Sequence, residues 1–279
     1  MTEETAEILA GRELRLAYDE RVVADRLSVD IPAGLITSIV GANACGKSTL
    51  LRALSRLLKP RAGSVLLDGA DIASLPTRTV ATRLGLLPQT QLAPDGITVA
   101  DLVARGRHPH HGWMRRWTGE DDAAVAAALR DTGTLELADR VLDELSGGQR
   151  QRVWIAMVLA QGTELLLLDE PITYLDLAHQ VELLDLMVDL NRQRGRTVVM
   201  VLHDLNLAAR YSDHLIAMKA GAVVASGRPA EVIDEALVAD VFGLACRVVP
   251  DQVSGTPLVL PIGRHHSRPG SDGRSGLAV

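Results

Sequence analysis

The sequence predicts an α/β fold built around a largely parallel sheet. Short apolar runs alternate with segments of helical spacing, the order that strand–helix–strand units impose. One such run, Leu35 to Val40, leads through a glycine-rich loop into a helical stretch. Another, Leu165-Leu166-Leu167-Leu168, ends in two acids, at the edge where open α/β sheets bind ligands.

The elements follow in order. Over residues 12–40, Leu14-Arg15-Leu16-Ala17-Tyr18 and Leu35 to Val40 read as strands between turns. Thr49-Leu50-Leu51-Arg52-Ala53-Leu54 reads as helix. The turn Lys59-Pro60-Arg61-Ala62-Gly63 introduces the strand Ser64-Val65-Leu66-Leu67, and residues 84–88 give a short strand that ends in Gln89. From about 98 to 160 the pattern is helical, with an Ala-rich helix at Asp121 to Leu129 and another at Arg150 to Gln161. This stretch splits the α/β core. Strand-like runs return at 165–168, 197–202 and 215–218, and a helix from Leu177 to Arg192 separates the first two. Residues 221–262 hold a short hairpin, a helix near 230–242 and two further strands. The segment 263–279, rich in Gly, Ser, Arg and His, reads as a disordered tail. No internal repeat is present.

The bulk numbers bound the function. In 279 residues, 47% hydrophobic but only 3% aromatic, the core must be mostly Leu, Val, Ala and Ile. A net charge of −6 argues against a nucleic-acid binder. Two distant cysteines, Cys45 and Cys246, predict reduced thiols rather than a disulfide. The acidic N-terminus carries no signal region, and no window approaches the roughly 18 apolar residues of a membrane span. The expectation is a soluble, cytoplasmic protein.

Gly41-Ala42-Asn43-Ala44-Cys45-Gly46-Lys47-Ser48 fits the G-x-x-x-x-G-K-[ST] phosphate loop at every fixed position. Its backbone N–H groups and the helix N-terminus favour an anion. Lys47 adds a full charge, and Ser48 offers an oxygen to Mg²⁺. Asp169 is suited to hold that ion, and Glu170 to polarise an attacking water. The segment Leu145-Ser146-Gly147-Gly148-Gln149 opens the next helix with small residues, a second anion-seeking site. Two such sites with one nucleotide loop imply that the second serves a nucleotide held by another subunit. His203, at the end of the strand before Asp204, is placed to contact the γ-phosphate or the water.

With these motifs in this order, the chain resembles the ATPase subunit of an ATP-binding-cassette (ABC) transporter. The five residues 145–149 stand where that family has its signature, which is more specific than the phosphate loop. The resemblance covers residues 12–262. It implies a P-loop NTPase core with a mostly parallel sheet, an N-terminal antiparallel β part and a helical subdomain inserted at about 95–160. It further implies ATP and Mg²⁺ as ligands, with Gly41, Asn43, Cys45, Gly46, Lys47, Ser48 and Thr49 around the nucleotide. Tyr18 would stack on adenine, and Gln89 would sense Mg²⁺ and relay to a membrane subunit. Ser146, Gly147, Gly148 and Gln149 would clasp the γ-phosphate across a head-to-tail homodimer. Asp176 would couple the two sites, and His203 would complete the γ-phosphate contact. The implied partners are two transmembrane permease subunits and an extracytoplasmic binding protein, with the chain on the cytoplasmic face of the membrane.

Gly106-Arg107-His108-Pro109-His110, Asp176 to Gln180, His203 to Ala208 and Val241 to Pro250 resemble the branch serving ferric-siderophore, haem and cobalamin importers. An iron-siderophore cargo is the leading reading, with haem, cobalamin or another cargo as alternatives. A soluble, non-transport ATPase of the family is a further rival. The chain departs from the family pattern at Ala42, Ala44 and Ile172.

Other features have bland readings. His108-Pro109-His110-His111 is read as a surface or partner-facing loop, because Pro109 breaks the spacing a metal site would need. Trp113 and Trp117 are expected to pack the helical lobe. Cys45, inside the loop, is expected to block nucleotide binding when alkylated.

Overall fold

A computed structural model describes residues 7–111, 116–173, 175–263 and 265. Along the chain, β1 (Glu7–Tyr18) and β2 (Arg21–Pro32) form a hairpin, and β3 (Ile36–Gly41) leads into α1 (Lys47–Leu54). Next come β4 (Ala62–Leu67), β5 (Ala70–Asp71), α2 (Thr77–Arg83) and β6 (Leu84–Leu87). The helical stretch holds α3 (Val99–Ala104), a 3₁₀ segment (Arg105–His110), α4 (Gly119–Asp131) and α5 (Gly147–Ala160). Then follow β7 (Leu165–Asp169), α6 (Leu177–Arg194), β8 (Thr197–Val201), α7 (Leu205–Tyr211), β9 (His214–Lys219) and β10 (Ala222–Gly227). The chain continues through α8 (Pro229–Val232), α9 (Glu235–Phe242), β11 (Cys246–Pro250) and β12 (Pro257–Pro261).

The central sheet has the order β10-β9-β3-β8-β7-β6, and every pair is parallel except β9 with β10. A second, antiparallel sheet has the order β2-β1-β4-β5. Strands of the central sheet are apolar on both faces because both are covered. Leu165 and Leu167 of β7 join Ile39, Val199 and Val201 in a core shared with α1 and the antiparallel sheet. Leu166 and Leu168 join Val40, Val198 and Met200 in the core beneath the helices on the other face. Strict alternation along each strand divides the side chains between these two layers. This explains why the β7 run is continuous leucine rather than alternating.

Some local expectations shift. β1 begins at Glu7, because residues ahead of Leu14 pair with both β2 and β4. The helix expected near 230–242 is two helices: Ile233 is extended, and Asp234 caps α9 by accepting from Leu237 N at 2.6 Å. Trp117 does not pack into the helical lobe. It is 45% exposed, stacks on His111 with ring centroids 5.5 Å apart, and donates to Asp122 Oδ1 at 2.6 Å. Trp113 and nearly all of the segment 263–279 lie outside the described residues.

An ionic hub ties the helical layer together. Arg107 Nε donates to Asp121 Oδ1 at 3.0 Å, and Arg107 Nη1 donates to Ala160 O at 2.8 Å. Thr118 N and Oγ1 both donate to Asp121 Oδ2, at 3.0 and 2.9 Å. Burial alone would raise the Asp121 pKa, but the bonds from Arg107 and Thr118 hold the carboxyl well below the usual carboxylate range. A depressed folded-state pKa gives stability that is complete above the unfolded value of about 3.9 and is lost as pH falls toward the folded one. Asp121→Asn should therefore melt several degrees below the native protein at neutral pH. The gap should narrow in melts recorded below about pH 4.

Candidate functional site

The phosphate loop turns at the carboxyl end of β3. A Cβ on Gly41 would collide with the Met218 carbonyl oxygen and sit 2.8 Å from Cys45 Sγ, so only glycine fits this close approach. Gly46, at φ 108, caps α1 in the left-handed region and lets the chain enter the helix directly from the loop. Lys47 is buried, and its Nζ donates to Gly41 O at 2.8 Å and Ala42 O at 3.0 Å. The ammonium is thereby fixed at the centre of the loop.

Three parallel strands, β6, β7 and β8, deliver the remaining groups to the same edge. Asp169, the last residue of β7, accepts from Ser48 Oγ at 2.9 Å. Burial pushes the Asp169 pKa up, and the Glu170 charge adds to this against the Ser48 bond and the Arg52 and Lys47 charges. Two adjacent hard oxygens, one of them a carboxylate disfavoured by burial, fit a bound Mg²⁺. Glu170 follows in the left-handed region at φ 55, unusual for a side-chain-bearing residue. Its Oε1 lies 2.7 Å from His203 Nε2, just beyond β8, and its Oε2 accepts from Thr173 Oγ1 at 3.3 Å. Burial would raise the Glu170 pKa, but the His203 bond and charge, with bonds from Gln89 and Thr173, leave it below the ordinary value. The carboxylate is ionised at neutral pH and can accept a proton.

Ser48, Glu170 and His203 line one cleft of about 590 Å³ with Tyr18, Arg21, Val23, Asn43, Ala44, Gly46 and Thr49, and buried Asp169 is bonded to Ser48 outside that lining. Tyr18 is 40% exposed at the mouth, and its hydroxyl accepts from Arg52 Nη1 at 3.1 Å. Gln89, Lys47, Ser48, Glu170 and His203 all face this space. Cys45 does not. Its side chain is buried in the core beside Leu50 and Met218, so the expectation that alkylation there directly obstructs the cleft is revised. A reagent must first open the loop.

The signature segment lies elsewhere. Ser146 caps α5 by accepting from Gln149 N at 3.3 Å, and Gln149 Oε1 accepts from Ser146 N at 3.1 Å. Asp176 caps α6, accepting from His179 N at 3.0 Å. Ser146, Gly147 and Asp176 are exposed, and none of Ser146, Gly147, Gly148, Gln149 or Asp176 lines the cleft of its own chain.

Sequence reasoning missed Arg21, Arg52 and Thr173. Arg21 pairs with Tyr18 across the two-residue turn Asp19-Glu20, a signal legible in the sequence. Thr173 supplies the hydroxyl on Glu170 beside Ile172, the departure from the family pattern, while Ile172 is buried in the core. Among the described residues no group of three or more His, Cys, Asp or Glu is placed to hold a metal, and His110 Nε2 instead meets Gln161 O at 2.7 Å. No helix among the described residues is long and apolar enough to cross a membrane.

Comparison with known proteins agrees with this geometry. Residues 24–173 match the family model described as ABC transporter. The achromobactin transport ATP-binding protein CbrD of Dickeya dadantii is 55% identical over 256 residues, covering 92% of this chain and 95% of that protein. The ferric enterobactin transport ATP-binding protein FepC of Escherichia coli is 53% identical over 264 residues, covering 95% and 97%. Among solved structures, the dimeric form of MJ0796, a bacterial ABC transporter cassette, superposes with a TM-score of 0.71 at 27% identity, over 79% of this chain and 98% of that one. By motif order, by cleft geometry and by these likenesses, the chain belongs to the ABC transporter family and is one of its ATP-binding subunits.

Proposed function

We propose that this chain is the ATP-hydrolysing subunit of an importer for ferric-siderophore-type chelates. The carrying observation is the division of the site: Lys47, Ser48, Glu170 and His203 line one cleft, with Asp169 bonded behind Ser48, while Ser146 stands exposed outside it. Such a half-site is completed by a second copy arranged head to tail, whose Ser146 and Gly148 face the γ-phosphate. The dimeric relative supports that reading.

Ser48 and Asp169 would hold Mg²⁺, which would offset charge on the phosphates. Lys47 neutralises phosphate oxygens, Glu170 takes the proton of the attacking water, and His203 orients both. Once the γ-phosphate is gone, the link between the two copies is lost and the dimer loosens, so nucleotide state shifts an open–closed equilibrium. Permease subunits at the cytoplasmic face of the membrane receive that motion, and an extracytoplasmic binding protein supplies the cargo. The achromobactin and enterobactin relatives support the siderophore reading.

A strain lacking this chain should lose uptake of labelled ferric siderophore and regain it with the native chain. Normal siderophore uptake together with lost haem or cobalamin uptake would reassign the cargo. Normal uptake of all three would overturn the transport reading.

A further inference from the structure

We propose that Gln151 is a positioning residue for hydrolysis, holding the turn that carries Glu170 through a relay from Gln91 to Gln151 to Pro171. The inference rests on Glu170 acting as the base. Gln151 lies in the first turns of α5, two residues beyond Gln149. Its Nε2 donates to Pro171 O at 2.8 Å, and its Oε1 accepts from Gln91 Nε2 at 3.0 Å.

Three features give this amide its weight. Glu170 is held at φ 55, a conformation that a residue with a Cβ keeps only when its surroundings impose it. Pro171 follows directly and has no N–H, so its carbonyl is the one backbone group of that residue a hydrogen bond can hold. Gln91 stands two residues after Gln89, which itself bonds to the Glu170 side chain. One glutamine therefore joins two of the chain segments that reach the base: the loop after β6 by its oxygen, and the turn after β7 by its nitrogen. Gln151 and Glu170 also line, with Gln89, Thr90 and Thr173, a cavity of about 200 Å³. Gln151 does not line the nucleotide cleft. Its loss should change turnover and leave affinity alone.

The glutamine amide accepts at its oxygen and donates at its nitrogen. Leucine does neither, and glutamate can accept but not donate. In the assembled transporter, Gln151→Leu, Gln151→Glu and Gln91→Leu should each lower kcat roughly tenfold, the effect of one net hydrogen bond. Nucleotide Kd should stay within about twofold. The double variant Gln91→Leu/Gln151→Leu should be no slower than Gln151→Leu alone, because both changes cut one relay. A general loosening of α5 would instead lower affinity too, and the two losses would multiply.

Native kcat in Gln151→Leu, parallel losses of kcat and affinity, or multiplying losses in the double variant would each overturn the proposal. If Gln151→Leu does not fold, Gln91→Leu decides: a slow enzyme with native affinity supports the relay, and native kcat overturns it. Glu170→Gln is measured alongside. Full activity there would sink the underlying assignment of the base, whereas an inactive Glu170→Gln with native Gln151→Leu and Gln91→Leu would sink the relay alone.

Discussion

Glu170→Gln should bind nucleotide with near-native affinity and lose turnover by about 10²- to 10⁴-fold, the range expected for removal of a general base. The substitution is isosteric and keeps a carbonyl oxygen where Oε1 meets His203 at 2.7 Å. It leaves Lys47 in the loop, the Ser48–Asp169 pair at 2.9 Å and Tyr18 at the mouth untouched. What it removes is an ionised carboxylate that His203, Gln89 and Thr173 hold below its ordinary pKa against the effect of burial. Phosphate release and nucleotide titration of the same preparation separate the two effects. Native turnover in this variant would take the base away from Glu170.

Ser146→Asp should cut turnover roughly 10²-fold or more, the scale set by losing one donor to a developing charge. Aspartate is as good a helix N-cap as serine, so α5 should keep its start and its stability to within about 0.5 kcal/mol. The change puts a carboxylate where a phosphate of the other copy would sit. Because Ser146 lies outside its own cleft, a single chain should still bind nucleotide with native affinity. Loss of turnover with retained binding and melting temperature is expected. Lost binding in the isolated chain would mean that Ser146 serves its own nucleotide.

Local patterns were legible in the sequence because their chemistry is local. The loop from Gly41 to Ser48, the β7 run ending at Asp169 and the signature from Leu145 to Gln149 each need fixed residue types at fixed spacing, and hydrophobic period placed the strands around them. What escaped was tertiary. The Arg52 guanidinium reaches Tyr18 over 34 positions, and Gln91 reaches Gln151 over 60. Neither spacing carries a periodic signal. The inward turn of Cys45 follows from how tightly β3 approaches β9 at Met218, and the break between α8 and α9 follows from the cap at Asp234. Trp117 was misplaced because an aromatic residue's size suggests burial, whereas its N–H finds Asp122 and its ring finds His111 at the surface.

In the proposed cycle two copies close around ATP, and mass tests that most directly. Sedimentation of Glu170→Gln with saturating Mg-ATP should give a species of twice the 29.9 kDa chain mass. The same variant carrying Ser146→Asp should stay at the single-chain mass. A single-chain mass for Glu170→Gln under those conditions, or a dimer that forms equally well with Ser146→Asp, would contradict it.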